Sequence, residues 1–175
     1  ISPIIALVPA LLTFAVVPFG GQYTLFDTEV NLVISDLDVG LLFVFAIASL
    51  ATYGYVIAGW SSNNNWSLLG SMRTASQMIS YEVTMGLTII GVLMVYGSMK
   101  LTEIGAIQEN FWMWGVFLQP VGFFMFLTAS IAENKRIPFD APEAESELVA
   151  GYFTEYSGLK FGMFFMAEFI EMVTI

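Results

Sequence analysis

The feature that most constrains this chain is the run of residues 39–60, which contains no charged side chain. A helix of that length extends about 33 Å, which matches the roughly 30 Å hydrocarbon core of a bilayer. Residues 1–19 and 111–132 are uncharged in the same way. Lipid offers the backbone no hydrogen-bonding partner, so such runs cross it as helices. The pattern predicts an all-α integral membrane protein, built as a polytopic transmembrane helix bundle.

The composition supports the same class of protein. Hydrophobic residues make up 57% of the chain and charged residues only 11%, whereas a soluble domain carries roughly a quarter charged residues. A chain this apolar cannot cover itself with a solvated surface. We expect a single transmembrane domain over residues 1–175, a fragment of a longer membrane protein, with about five spans. The predicted spans are 1–19, 39–60, 71–97, 111–132 and a fifth that begins at residue 159.

Basic residues predict how these spans are oriented. Lys and Arg are concentrated in two predicted loops, 61–73 and 133–160, and only Lys100 lies on the other side. Short cytoplasmic loops of membrane proteins carry an excess of Lys and Arg. We therefore expect both loops in the cytoplasm, including an acidic loop at about 133–158.

The charge balance and the missing residue types exclude several kinds of site. The net charge of −10 argues against nucleic acid as a partner, because nucleic acid needs a basic face. The chain has no Cys and no His. This excludes disulfides, the usual zinc sites, thiolate-ligated iron–sulfur clusters and His-ligated haem. We expect neither a metal nor a cofactor bound by this chain.

Two predicted spans contain acidic residues. Glu82 follows Arg73 by nine residues, about 13–14 Å along a helix, and so lies near mid-membrane. A carboxylate at that depth faces a partner or a wet cavity, or stays protonated. It is either a proton-relay or coupling group, or an acid paired with a structural cation on another helix. Glu168 and Glu171 pose the same question, because acids three residues apart in an apolar helix repel unless one is protonated or paired.

Acidic residues are densest between 133 and 158, where they alternate with apolar ones. Pro138 and Pro142 interrupt any helix that continues from the fourth span. A solvated loop would explain the acids but not the interleaved Ile137 and Phe139. We predict a semi-buried segment that folds back against protein at the membrane surface. Its acidic residues are Glu133, Asp140, Glu143, Glu145, Glu147 and Glu155.

Several long motifs follow one another in a recognisable order. The most specific are E-N-K-R-I-P-F-D-A-P-E-A-E-S-E-L-V-A-G-Y-F-T-E-Y-S-G at 133–158 and R-T-A-S-Q-M-I-S-Y-E-V-T at 73–84. A-G-W-S-S-N-N-N-W-S-L-L-G-S-M-R at 58–73 and P-A-L-L-T-F-A-V-V-P-F-G at 9–20 add to them. Together they resemble the family of H subunits of bacterial proton-pumping NADH:quinone oxidoreductase (NDH-1). The mitochondrial counterpart in that family is subunit 1 of respiratory complex I.

The resemblance implies a subunit of a translocating oxidoreductase that is not catalytic alone. It would lie where the membrane arm meets the peripheral arm and would form part of the quinone-binding tunnel. Quinone is the implied substrate, and FMN and iron–sulfur clusters are expected in partner subunits. The implied partners are the peripheral-arm quinone-site subunits, other membrane-arm subunits and the lipid bilayer. The implied location is the bacterial inner membrane, with the mitochondrial inner membrane as the alternative.

The resemblance also implies roles for individual residues. We expect quinone reduction to be sensed by four loop glutamates, Glu133, Glu143, Glu145 and Glu147. Glu82 and Glu168 would pass the change into the membrane. The implied proton-coupling residues are Glu82, Glu133, Glu143, Glu145, Glu147, Glu155 and Glu168. The implied supporting charges are Arg73, Arg136 and Asp140, and Phe165 and Met166 match positions along the wall of the quinone tunnel.

Three alternatives stay open at this point. A membrane subunit of an energy-converting hydrogenase would share the acidic loop without needing to bind quinone. A stand-alone proton-coupled transporter would also carry intramembrane acids, although transporters usually contain internal repeats. A scaffold subunit would use its acids only to bind neighbours. The sequence does not choose between ubiquinone and menaquinone.

Overall fold

The computed structural model describes residues 1–20, 22–25, 28–141 and 150–174, with the backbone alone for 22–25 and 28–31. The described part is helical apart from one short hairpin. The α-helices are α1 (Ser2–Phe14), α2 (Gly40–Ser61), α3 (Asn65–Tyr96), α4 (Leu101–Ile107), α5 (Gly115–Leu118), α6 (Pro120–Glu133) and α7 (Leu159–Thr174). Two 3₁₀ turns lie at Phe111–Met113 and Gly151–Phe153, and strands β1 (Gln22–Leu25) and β2 (Thr28–Asn31) form the hairpin.

The hairpin lies in the first predicted connection. Its two strands are antiparallel, with Gln22 opposite Asn31 and Leu25 opposite Thr28. The sequence predicts only a polar connection at residues 20–38, so these strands are a finding of the structure. Strands this short contain too few residues to give a clear alternating pattern.

Helices α2 and α3 are long and apolar enough to cross a membrane, and α1 and α6 are shorter apolar helices. Helix α3 has 32 residues, about 48 Å of length. It begins six residues before the predicted start at 71, because the Asn64 side chain accepts a 3.0 Å hydrogen bond from the Trp66 backbone N–H. It ends at Tyr96, and the capping residue Gly97 adopts a left-handed φ of 70°. Both ends therefore have ordinary helix caps.

The predicted fourth span, 111–132, is not one continuous helix. A 3₁₀ turn and the four-residue α5 come first, and α6 begins only at Pro120. Gln119 between them is non-helical, with φ −139° and ψ 67°. Proline disfavours helical geometry at the residue before it. The Gln119 amide then donates a 2.6 Å hydrogen bond to the Gly91 carbonyl of α3, which holds the break in place.

The helices pack through small residues. Helix α1 contacts α2 and α7, α3 contacts α2 and α6, and the turn Gly151–Phe153 contacts α2 and α3. A Cβ added at Gly54 would lie 2.8 Å from the Ala6 backbone nitrogen, and one added at Gly70 would lie 2.8 Å from the Gly151 Cα. Close backbone approach through small residues is the usual way that membrane helices associate. Large apolar side chains such as Leu87 and Met94 are exposed on the outer helix faces, where lipid would cover them.

Candidate functional site

A buried polar cluster lies where α2, α6, α7 and the turn Gly151–Phe153 meet. Its construction begins at the end of α6. Asn134 follows the helix and its amide donates a 2.9 Å hydrogen bond to the Ser130 carbonyl. Lys135 then takes a left-handed backbone conformation with φ 54°, which few residues other than glycine adopt. Its side chain is 1% exposed, so this lysine lies inside the protein and not in solvent.

The Lys135 ammonium group makes three close contacts. It lies 2.8 Å from Glu168 Oε1 on α7, and it donates a 3.1 Å hydrogen bond to the Tyr152 hydroxyl. It also lies 3.9 Å from the centre of the Tyr55 ring on α2, a cation–π contact. The Tyr152 hydroxyl in turn donates to Glu168. The cluster thus joins two helices, the 3₁₀ turn and the segment after α6.

Glu133 is buried beside this pair but is bonded differently. Its Oε2 atom has no hydrogen-bond partner among the residues that the structure describes. Negative charge on Glu82 and Glu171 disfavours the ionised form of Glu133, and the positive charge of Lys135 favours it. Arg136 Nη2 is likewise buried without a partner in the described chain, and its guanidinium lies 5.3 Å from the centre of the Phe169 ring. Several carboxylates therefore share one low-dielectric region with two cations.

Glu82 belongs to the edge of the cluster. It is half-buried on α3 and accepts a hydrogen bond from the Ser49 hydroxyl of α2. Within the described ranges the ion pairs join Lys100 to Asp36 and Asp38 and Lys135 to Glu168, and none includes Glu82. The described residues therefore give no support to a structural cation for Glu82.

The other predicted site residues make contacts elsewhere, are exposed, or lie outside the described residues. Glu155 is exposed and accepts a 2.8 Å hydrogen bond from the Asn64 amide, which ties it to the loop between α2 and α3. Asp140 is exposed, and Arg73 is half-buried on α3. Arg73 lines an open groove with Gln77. Glu143, Glu145 and Glu147 lie outside the described residues.

The two predicted tunnel residues lie on the outer side of α7. Met166 is exposed. Phe165 is partly exposed and lies between Phe161 and Phe169, with its ring centre 4.8 and 6.1 Å from theirs and the rings tilted to one another. Phe153 of the 3₁₀ turn lies 5.2 Å from Phe161. These rings form an aromatic strip beside the buried cluster.

Lys135 is the residue at the centre of this cluster that the sequence does not single out. The sequence places Lys135 only among the basic residues of the predicted loop 133–160, and nothing in the pattern selects Tyr55 or Tyr152 as its partners. The repulsion expected between Glu168 and Glu171 requires that one of them be protonated or be paired with a buried cation. It does not identify the cation, because Lys135 and Glu168 are 33 residues apart in the chain. In the described ranges no three acidic side chains are grouped as a metal site.

The whole chain is similar to proteins of one family. The NADH dehydrogenase family model matches residues 1–175. Among curated relatives, the NADH-quinone oxidoreductase H subunit numbered 1 of Geobacter metallireducens is 51% identical over the whole chain, which covers 53% of that protein. The H subunit numbered 2 of Geobacter sulfurreducens is 50% identical, and that of Rhizobium meliloti is 47% identical, with the same coverage. The chain thus spans about half the length of the curated relatives it matches.

Proposed function

Because this chain belongs to the NADH dehydrogenase family, we propose that it is part of the H subunit in the membrane arm of a proton-translocating NADH:quinone oxidoreductase. It would act with other subunits of that complex and would not be catalytic alone. Quinone would be the substrate of the assembled enzyme, and FMN and iron–sulfur clusters would belong to partner subunits. The bacterial relatives support a location in the bacterial inner membrane.

The positions of the tryptophans support a membrane-spanning arrangement. Trp60 and Trp66 are exposed where α2 ends and α3 begins, and Trp112 and Trp114 are exposed beyond the far end of α3. Tryptophan is enriched at both membrane interfaces, where its ring is apolar and its N–H is wet. Helices α2 and α3 would span the lipid between these two pairs, and five spans remain our expectation for the chain.

The observation that carries the proposal is the buried charge cluster itself. A membrane protein that needed only a stable core would place apolar residues at Glu133, Lys135 and Glu168, because buried charges are costly to desolvate. Ionisable groups inside a membrane bundle are rare and usually serve a function, such as proton or ion transfer. Their shared low dielectric means that a charge appearing at one of them changes the energy of the others.

We propose that this coupling links quinone reduction to proton translocation. Quinone reduction takes up protons and creates negative charge transiently. Glu133 and the loop acids Glu143, Glu145 and Glu147 would respond to that charge, supported by Arg73, Arg136 and Asp140. Glu82 and Glu168 would pass the change into the membrane arm. Glu155 would belong to the same path at the cytoplasmic surface, and Phe165 and Met166 would border the quinone tunnel.

The first test concerns the complex. The full-length subunit, tagged in its native membrane, is solubilised gently, run on a native gel and stained for NADH oxidation. Co-migration with a large NADH-oxidising band is the expected result. Migration with a hydrogenase, or as a small separate transporter, would contradict the NADH assignment.

The second test concerns the acids. Glu82→Gln in the full-length subunit should lower proton pumping coupled to quinone reduction severalfold, while the complex still assembles. Glu109→Gln is the matched control, because Glu109 is an exposed acid beyond α4. Unchanged pumping and quinone reductase rates in Glu82→Gln would remove this residue from the path.

A further inference from the structure

We infer that Lys135 is a positioning residue that holds Glu168 as a permanent negative charge. Glu168 then serves the coupling path by electrostatics, while proton exchange is left to carboxylates such as Glu133, for which the described residues supply no ion-pair partner. The inference rests on the proposed function and deepens it, because it separates two ways in which acids of one cluster can act.

Three groups on different sides hold the Lys135 ammonium in position. Glu168 approaches from α7 at 2.8 Å, the Tyr152 hydroxyl approaches at 3.1 Å, and the Tyr55 ring covers it at 3.9 Å. The backbone at Lys135 is left-handed, and its side chain is only 1% exposed. Ordering a flexible four-carbon side chain in this way costs conformational entropy, so these contacts must act together to hold it.

The direction of the hydrogen bonds favours an ionised Glu168. An ammonium group can only donate hydrogen bonds. The Tyr152 hydroxyl accepts one from Lys135 and donates one to Glu168. Both donors act on the same oxygen, Oε1. An ionised carboxylate is an acceptor only and suits two donors at one oxygen. The charge of Arg136 adds to the same effect.

The groups around the Lys135–Glu168 pair come from three parts of the chain besides α7, and α1, which also packs against α7, has no charged side chain. Tyr55 belongs to α2, Tyr152 to the 3₁₀ turn, and Lys135 and Arg136 to the segment after α6. Glu171, on α7 itself, is the acid whose charge opposes this arrangement. Lys135 and Tyr152 are in direct hydrogen-bond contact with Glu168 and favour its ionised form.

Glu133 provides the contrast. It is as buried as Glu168, but no described cation lies within ion-pair distance of it and its Oε2 lacks a partner in the described chain. An ionised Glu133 would bear a desolvation cost that no hydrogen-bonded cation among the described residues offsets. The two acids therefore differ in bonding, although they lie in one cluster and have the same side chain.

Infrared difference spectroscopy on the assembled complex tests the assignment. A protonated carboxyl group has its own carbonyl band, distinct from that of a carboxylate. Glu168→Gln and Glu168→Asp should leave the protonated-carboxyl region of the spectrum unchanged. Lys135→Met should add a band with the amplitude of a single carboxyl group. That band should be absent from the double variant Lys135→Met/Glu168→Gln, and Lys135→Arg should restore the original spectrum.

Several outcomes would overturn the inference. A protonated-carboxyl band in the unaltered complex that disappears in Glu168→Gln or shifts in Glu168→Asp would show that Glu168 carries a proton. Absence of a new band in Lys135→Met would show that the lysine does not hold the charge. If Lys135→Met fails to assemble, the two Glu168 variants still test whether Glu168 is ionised, and Lys135→Arg tests whether a cation at position 135 keeps it so. NADH:quinone activity is measured in the same preparations, so that loss of the proposed function is seen separately from the state of Glu168.

Discussion

Two ion pairs in this protein have nearly the same length and opposite surroundings. Lys135–Glu168 is 2.8 Å long with side chains 1% and 7% exposed, and Lys100–Asp36 is 2.9 Å long with side chains 25% and 45% exposed. The first lies inside the bundle, and the second lies between the first connection and the start of α4. The distance within an ion pair therefore says little about its contribution to stability. Burial decides whether removing one partner leaves the other charge without solvent.

The surface pair is screened by water. Lys100 also lies 3.6 Å from Asp38, Thr102 donates a 3.1 Å hydrogen bond to Asp36, and the pair borders a cavity of about 970 Å³. The hydrogen bond from Lys100 lowers the pKa of Asp36, and the hydrogen bond to Asp36 raises the pKa of Lys100. This pair fastens two connections together but leaves both groups able to return to solvent.

The largest effect is expected when one partner of the buried pair is removed. Lys135→Met leaves the Glu168 carboxylate without its cation, and breaking a buried pair in this way destabilises a protein by about 3–5 kcal/mol. The thermal midpoint of the full-length subunit in lipid nanodiscs measures the loss. The double variant Lys135→Met/Glu168→Gln should recover much of it, because glutamine at position 168 needs neither a cation nor the uptake of a proton. Equal instability of the single and double variants would contradict this account.

A smaller effect is expected from the backbone contact that supports the buried pair. Gly70→Ala places a Cβ 2.8 Å from the Cα of Gly151, next to the residue that bonds Glu168. Overpacking of this kind costs about 1–3 kcal/mol. The same thermal measurement should register it, and Gly86→Ala on the same helix is the control, because nothing lies within 4 Å of a Cβ there. A loss in Gly86→Ala as large as in Gly70→Ala would remove the argument from close packing.

The smallest effect is expected from the surface pair. Lys100→Met should change the thermal midpoint little, and the change should vanish in high salt because exposed charges are screened. Asp38→Asn is the matched control and should have less effect, since Asp38 is the more distant partner of Lys100. A salt-independent loss in Lys100→Met as large as that in Lys135→Met would erase the contrast between the two pairs.

The surface pair also predicts a pH dependence. The pKa of Asp36 is lowered on folding, so its stabilisation is present above the ordinary aspartate pKa and is lost as the pH falls through the folded pKa. The pKa of Lys100 is raised, so its stabilisation is lost only as the pH rises through that higher pKa. Thermal scans from neutral to acidic pH should therefore show the wild type and Lys100→Met converging at the acidic end. Parallel curves at all pH values would contradict this linkage.

Much of the fold could be read from the sequence. The charge-free run at 39–60 predicted α2, and the location of Glu82 within a long apolar helix followed from residue counting alone. The family resemblance, carried by the long motifs at 73–84 and 133–158, is confirmed by the family model and by the relatives. These features are local or depend on residue order, which a sequence records directly.

Other features required the tertiary structure. The break at Gln119 depends on Pro120 and on a hydrogen bond to Gly91, 28 residues away. The inward direction of Lys135 depends on a left-handed backbone and on partners from α2, α7 and the 3₁₀ turn. A sequence gives the number of charges and their spacing along a helix. Here it determined a membrane bundle with acids inside it. Only packing decides which acid meets a cation, because that depends on contacts between segments far apart in the chain.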